Sequence, residues 1–161
     1  MRRIYIGIDP GKKGFACFNF TATGTYEWVP LEDTDRLLTE LEAAKVVGDC
    51  VAVIENVHAM PGQGRTSIFT FGFNVGIITG MLKAFRIPYS TVAPSKWQKE
   101  MWDASDKVSI DGRVDTKKTS FAAGRRLFPG FDFRKSDRCS TFDDNKVDST
   151  LICGYAKRIN L

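Results

Sequence analysis

Residues 1–11, MRRIYIGIDPG, form a short apolar run that ends on a carboxylate and is followed at once by a turn. Ile4, Ile6 and Ile8 alternate with Tyr5, Gly7 and Asp9, the period of two that a strand imposes. Pro10 and Gly11 break the run, so Asp9 takes the last strand position and the chain turns back through Lys12 and Lys13. From Gly14 the run Phe15 to Phe20 restarts an extended pattern, which predicts a hairpin. A carboxylate closing such a run meets a desolvation cost of several kcal/mol unless a cation or donor faces it. Asp-Pro-Gly is equally an ordinary turn tripeptide. Asp9 alone is therefore either a turn residue or a ligand, and the other carboxylates carry the decision.

The chain has 161 residues, enough for one domain (1–161) with a full core. With 43% hydrophobic and 26% charged residues it is not a disordered sequence. The net charge of +4 is unevenly spread. Between Thr21 and Pro61 stand Glu27, Glu32, Asp33, Asp35, Glu40, Glu42, Asp49 and Glu55 against only Arg36 and Lys45, whereas the first twenty residues and the stretch Lys96 to Arg138 are basic. Such asymmetry fits a polyanion met on one side, or a solvated surface of mixed charge. Cys17, Cys50, Cys139 and Cys153 lack zinc-finger spacing and read as small buried residues in a reducing compartment. No apolar run of membrane-spanning length and no signal peptide is present, which predicts a cytoplasmic protein.

TYEWVP (25–30) reads as a third strand, and Asp33 or Thr34 caps a surface helix to about Lys45 with Leu37, Leu38, Leu41 and Ala44 on one face. CVAVIE (50–55) is a near-continuous apolar run suited to a central strand covered on both faces. It ends on Glu55 as the first strand ends on Asp9, and if the two strands pair in parallel the carboxylates lie side by side. A loop with Asn56, His58, Pro61, Gly62, Gly64 and Arg65 follows. Thr66 or Ser67 then caps a long helix from about Ile68 to Phe85. Gly72, Gly76 and Gly80 line one face of it. Each costs roughly 1 kcal/mol against alanine, so a packing reason is expected, either on the domain's own sheet or between helices of a dimer.

IPYSTV (87–92) predicts a further strand, and Pro94 opens a helix through Trp102. Residues 103–116 are polar and turn-rich and read as a loop, with Lys107, Arg113 and then Lys117 or Lys118 available to phosphates. A helix from about Thr116 to Phe128 precedes a loop carrying Arg134, Lys135 and Arg138. In the closing DDNKVDSTLICGYAKR, Asp143 or Asp144 is the N-cap and Val147, Leu151, Ile152 and Tyr155 form the apolar face. Asp144 and Asp148, four apart, project from one face of the first turns. A single Asp is explained as a cap, but a second one turn inside is not.

Asp9, Glu55, Asp144 and Asp148 thus each stand at the end of a core element. Carboxylates converging on one site raise one another's pKa unless cations neutralise them. An all-oxygen set suits Mg2+, with Mn2+ as a substitute. Two such ions per site can activate water and stabilise the leaving oxygen of a phosphodiester, which makes metal-dependent phosphodiester hydrolysis the expected reaction.

In order and spacing, GIDPGKKG, VIEN, APSKWQK, DTKK and DDNKVDSTLI resemble the RuvC family of Holliday junction resolvases, and the compact form resembles the short versions of bacteriophages. The match spans most of the chain. The resemblance implies an α/β, ribonuclease H-like fold: a central mixed five-stranded sheet flanked by helices. It further implies a homodimer, for which the spacing of Gly72, Gly76 and Gly80 offers a helix interface, and paired symmetric nicks in four-way DNA. Asp9 and Glu55 match the first two metal-binding acids and Asp148 the last. Many relatives space their final two acids by three, but position 145 is Asn, so Asp144 is chosen with Asp143 in reserve. Lys117 or Lys118 matches the basic residue at the scissile phosphate. Where cellular relatives carry a wedging aromatic after the strand-end Glu, this chain has His58, its only histidine. Lys12, Lys13, His58, Arg65, Lys96, Lys107, Arg113, Lys117 and Lys118 complete the expected DNA contacts. Competing readings are a nuclease of the same fold acting on RNA, RNA–DNA hybrids or flaps, and a non-catalytic junction-binding module. The sugar kinase and actin-like ATPases, which also follow a strand with an Asp and Gly turn, generally need two such domains.

Overall fold

Alternation along the strands divides the side chains between two cores. The computed structural model describes residues 2–11, 13–56 and 64–161, with only the backbone at Arg65 and Ser67. β1 (Arg3–Asp9), β2 (Phe15–Phe20) and β3 (Thr25–Pro30) form an antiparallel meander. β4 (Asp49–Glu55) pairs in parallel with β1, and β5 (Tyr89–Val92) in parallel with β4, giving the order β3-β2-β1-β4-β5. Ile4, Ile6, Ile8, Ala16, Phe18, Cys50, Ala52 and Ile54 point into one core, which the helices α1 (Thr34–Val47) and α2 (Arg65–Ala84) cover. Tyr5, Cys17, Val51 and Val53 point into the other, which α3 (Pro94–Met101), α4 (Thr116–Leu127) and α5 (Asp144–Arg158) cover. This is the mixed, doubly covered five-stranded sheet expected from the sequence, and burial on both faces explains why β1 and β4 are so continuously apolar.

One glycine sets the distance between the sheet and α5. A Cβ built on Gly7 would lie 2.1 Å from the backbone nitrogen of Cys153 and 2.4 Å from the carbonyl oxygen of Ser149. Only a residue without a side chain lets the helix lie this close to β1. The contact brings the first turns of α5 to the end of β1, where Asp9 sits.

Several local expectations are corrected. Leu38 is exposed, since α1 buries only Leu37, Leu41 and Ala44. α2 starts at Arg65 behind Gly64, with no side-chain cap, rather than behind Thr66 or Ser67. Among the described residues its glycine ridge does not pack on the chain's own sheet: a Cβ at Gly72, Gly76 or Gly80 would meet none of them within 4 Å. Residues 103–116 are not an irregular loop. They hold a 3₁₀ turn (Ala104–Asp106) and a hairpin of β6 (Ser109–Ile110) and β7 (Arg113–Val114). The turn is locked by Asp106, buried beneath a multiple hydrogen bond from Arg126. Cys139 is only half-buried, while the other three cysteines are buried and all four are free thiols. Among the described residues no helix is long and apolar enough to cross a membrane.

Candidate active site

The parity of β1 and β4 puts Asp9 and Glu55 on the α5 side of the sheet, in line with Tyr5, Val51 and Val53. The parallel ladder runs to Ile8 opposite Ile54, so the next residues on each strand, Asp9 and Glu55, end adjacent strands about 4.8 Å apart. Asp9 is 6% exposed and accepts a bond, at 3.1 Å, from the Gly11 backbone N–H. Glu55 accepts a 2.8 Å bond from Nε1 of Trp97, the fully buried indole of α3. α5 supplies the other two acids. Asp143 is its N-cap, accepting from the backbone N–H groups of Asn145 and Lys146. That leaves Asp144, on the first turn, free to meet Lys117, whose Nζ stands 2.6 Å from its Oδ2. Asp148 lies one turn further in, and its Oδ1 is buried with no hydrogen-bond partner among the described residues.

Electrostatics tie the four together. Burial, then the charges of Glu55, Asp148 and Asp144, push the Asp9 carboxyl up to about 8, against a smaller opposing effect of the Gly11 N–H. Burial also raises Asp148 to about 7, with Glu55 and Asp144 adding to it and Ser120 and Lys117 opposing. Glu55 is raised by burial, partly offset by the Trp97 bond. Asp144 behaves differently: burial raises it, but the bond and charge of Lys117, with help from Lys135, leave it lowered. The Lys117 ammonium is raised in turn by its bond to Asp144.

An all-oxygen set with an orphaned buried carboxylate oxygen has the chemistry that a hard divalent cation requires. Among the described residues, no three His, Cys, Asp or Glu side chains stand close enough to enclose an ion as they are now arranged. The acids stand near enough to raise one another's carboxyls but do not form a closed cage.

Of the expected site residues, Asp9, Glu55, Asp144, Asp148 and Lys117 come together. Lys118 does not join them; it faces Asp115, the N-cap of its own helix, at 4.0 Å. Lys13, Lys96, Lys107 and Arg113 are exposed. Lys12 and His58 lie outside the described residues, as does the side chain of Arg65. Sequence reading missed Trp97 as a partner of Glu55, and Ser120 and Lys135 as neighbours of the acids. The indole in APSKWQK was the available signal, but its bond crosses 42 positions and no local periodicity encodes it.

No protein-family model and no curated protein matches this chain. Among solved structures it is similar to Thermus thermophilus RuvC, at 12% identity and a TM-score of 0.57, covering 98% of this chain and 96% of that one. It is similar also to T. thermophilus RuvC in complex with a Holliday junction substrate, at 10% identity, a TM-score of 0.58 and the same coverage. At these identities the likeness is one of fold, and the fold is the ribonuclease H-like one of RuvC.

Proposed function

We propose that this chain is a structure-selective, divalent-metal-dependent DNA endonuclease that resolves four-way junctions by paired nicks as a homodimer. The observation that carries the reading is the convergence of four carboxylates from β1, β4 and α5, two of them held up to about 8 and 7 by burial and mutual repulsion, beside one lysine. Such a cluster is costly for the fold, and a structural role offers nothing to offset it.

Asp9, Glu55, Asp144 and Asp148 would hold Mg2+ or Mn2+, two ions to a site. When bound, these ions supply Lewis-acid stabilisation of charge on the phosphoryl and leaving oxygens. The protein's own groups position the substrate. Trp97 orients Glu55 by donating its N–H to Oε1. Lys117, 69% exposed and turned toward Asp144, exchanges that carboxylate for the scissile phosphate as a point charge. Hydrolysis leaves a 5′-phosphate and a 3′-hydroxyl. Lys13, Lys96, Lys107 and Arg113 add phosphate contacts, with Lys12, His58, Arg65 and Lys118 as further candidates.

The dimer is proposed through α2. Phe69 and Phe73, 75% and 59% exposed, stack on each other beside the open Gly72, Gly76 and Gly80, and a second copy of this face would bury both rings against the ridge.

The test is strand cleavage of a synthetic four-way junction beside a linear duplex, a flap and an RNA–DNA hybrid, with Mg2+, Mn2+ or EDTA. Paired, metal-dependent nicks in the junction are expected. Cutting the hybrid alone would replace the reading with a ribonuclease H, cutting all branched forms with a general debranching nuclease, and tight binding without cleavage in any metal with a binding module.

A further inference from the structure

The β6–β7 hairpin is tightly turned, and Ser109 to Val114 are all exposed. Its two-residue turn, Asp111-Gly112, has both residues at positive φ (50° and 76°), the conformation that matches the twist of a tight hairpin. Its base is fastened to α4: the Asp115 N–H donates to the Val108 carbonyl at 2.8 Å, and the Val108 N–H donates to Oγ1 of the buried Thr119 at 3.1 Å. Beyond that base every residue from Ser109 to Val114 is exposed. The ribbon nevertheless carries two β-branched apolar side chains, Ile110 and Val114, 45% and 47% exposed on opposite faces. Neither contributes to a core among the described residues, so beyond their strand preference both are free to meet a partner.

Position and charge say what they meet. Val114 precedes Lys117 by three residues, a reach of about 10 Å, and Lys117 stands against Asp144 of the acid cluster. Lys107 precedes the apolar pair and Arg113 stands opposite Ile110, and the only acid at the tip is the turn residue Asp111. A ribbon with an apolar group on each face and a cation beside Ile110 on one of them, anchored beside the candidate phosphodiester-cutting site, fits a nucleic acid whose bases are partly unstacked. Accepting the nuclease reading above, we propose that the β6–β7 hairpin enters the branch point of the DNA, with Ile110 and Val114 against the faces of unstacked bases and Lys107 and Arg113 on the adjoining phosphates.

The experiment compares the wild type with the double variant Ile110→Ser/Val114→Ser, whose exposed positions leave the core untouched. The probe is a four-way junction with 2-aminopurine at the branch, bound in Ca2+, followed by cleavage in Mg2+ and by sedimentation of the free protein. The wild type should raise the fluorescence, and the double variant should lose most of that rise and cut at least about tenfold more slowly, with unchanged sedimentation. On a junction already mismatched at the branch the variant should recover to within about twofold of the wild type, because the unstacking has been done in advance. If the wild type cuts the junction and the variant matches it in fluorescence and rate, the hairpin proposal fails while the nuclease reading stands. Loss of self-association in the variant would make the ribbon a protein contact and overturn the proposal. A wild type that neither binds nor cuts the junction would overturn both.

Discussion

Replacing Asp148 by Asn should stabilise the metal-free protein, and more so as the pH rises. Burial, Glu55 and Asp144 raise the Asp148 carboxyl from 3.8 to about 7. A group raised in the folded state gives its full contribution below its unfolded pKa, and that contribution is lost as the pH climbs through the folded value. The window for Asp148 therefore runs from about 4 to about 7, above which the native protein must hold the ionised carboxylate. A shift of about three units corresponds to a ceiling of about 4 kcal/mol at alkaline pH. The coupled acids relax when one charge is removed, so about 1–3 kcal/mol is the expected gain, or roughly 2–12 °C in Tm for a chain of this size. Asn keeps the shape, and the Oδ1 it replaces has no donor to lose. Thermal unfolding in EDTA, followed by circular dichroism, should show the variant well above the wild type at pH 9 and within about 2 °C of it at pH 4.5. An offset independent of pH, or a variant less stable at pH 9, would refute the reasoning that these carboxylates repel one another in the fold.

Gly7→Ala would push a methyl into the backbone of Ser149 and Cys153, neither of which can yield without moving α5 from β1; a loss of about 3 kcal/mol or more, read as a Tm lower by roughly 10 °C, is expected in thermal melts. Trp97→Phe keeps a buried ring but removes the donor to Glu55, so calorimetry should show Mn2+ binding weakened by about tenfold or more while the fold is retained; unchanged affinity would leave the indole a packing residue only. Asp9→Asn or Glu55→Gln should abolish junction cleavage while leaving junction affinity within about threefold of the wild type, and that affinity should fall steeply with added salt in both variants. Wild-type cleavage by either variant would falsify the site.

Much of this site is legible in short stretches of sequence. The alternation of Ile4, Ile6 and Ile8 places Asp9 at a strand end, CVAVIE does the same for Glu55, and the four-residue spacing of Asp144 and Asp148 puts both on one helical face. These follow from backbone period, which each segment carries alone. The cap assignment at α5 was open in the sequence because either Asp143 or Asp144 satisfies it. Geometry selected Asp143 for the backbone N–H groups and turned Asp144 toward Lys117. The same holds for Lys117 against Lys118, neighbours in sequence that a helix sends in different directions. The hairpin was hidden for another reason: its strands are two residues long, too short for any period, and only the left-handed Asp-Gly turn marks it. The sequence also left open what the α2 glycines pack against, a question of neighbours rather than of local preference. What joined the acids into one site was the parallel pairing of β1 with β4 and the close approach of α5 over Gly7. Both are contacts between segments 40 to 150 residues apart, and their register is set by fitting two cores to the two faces of one sheet, which no single stretch of the chain encodes.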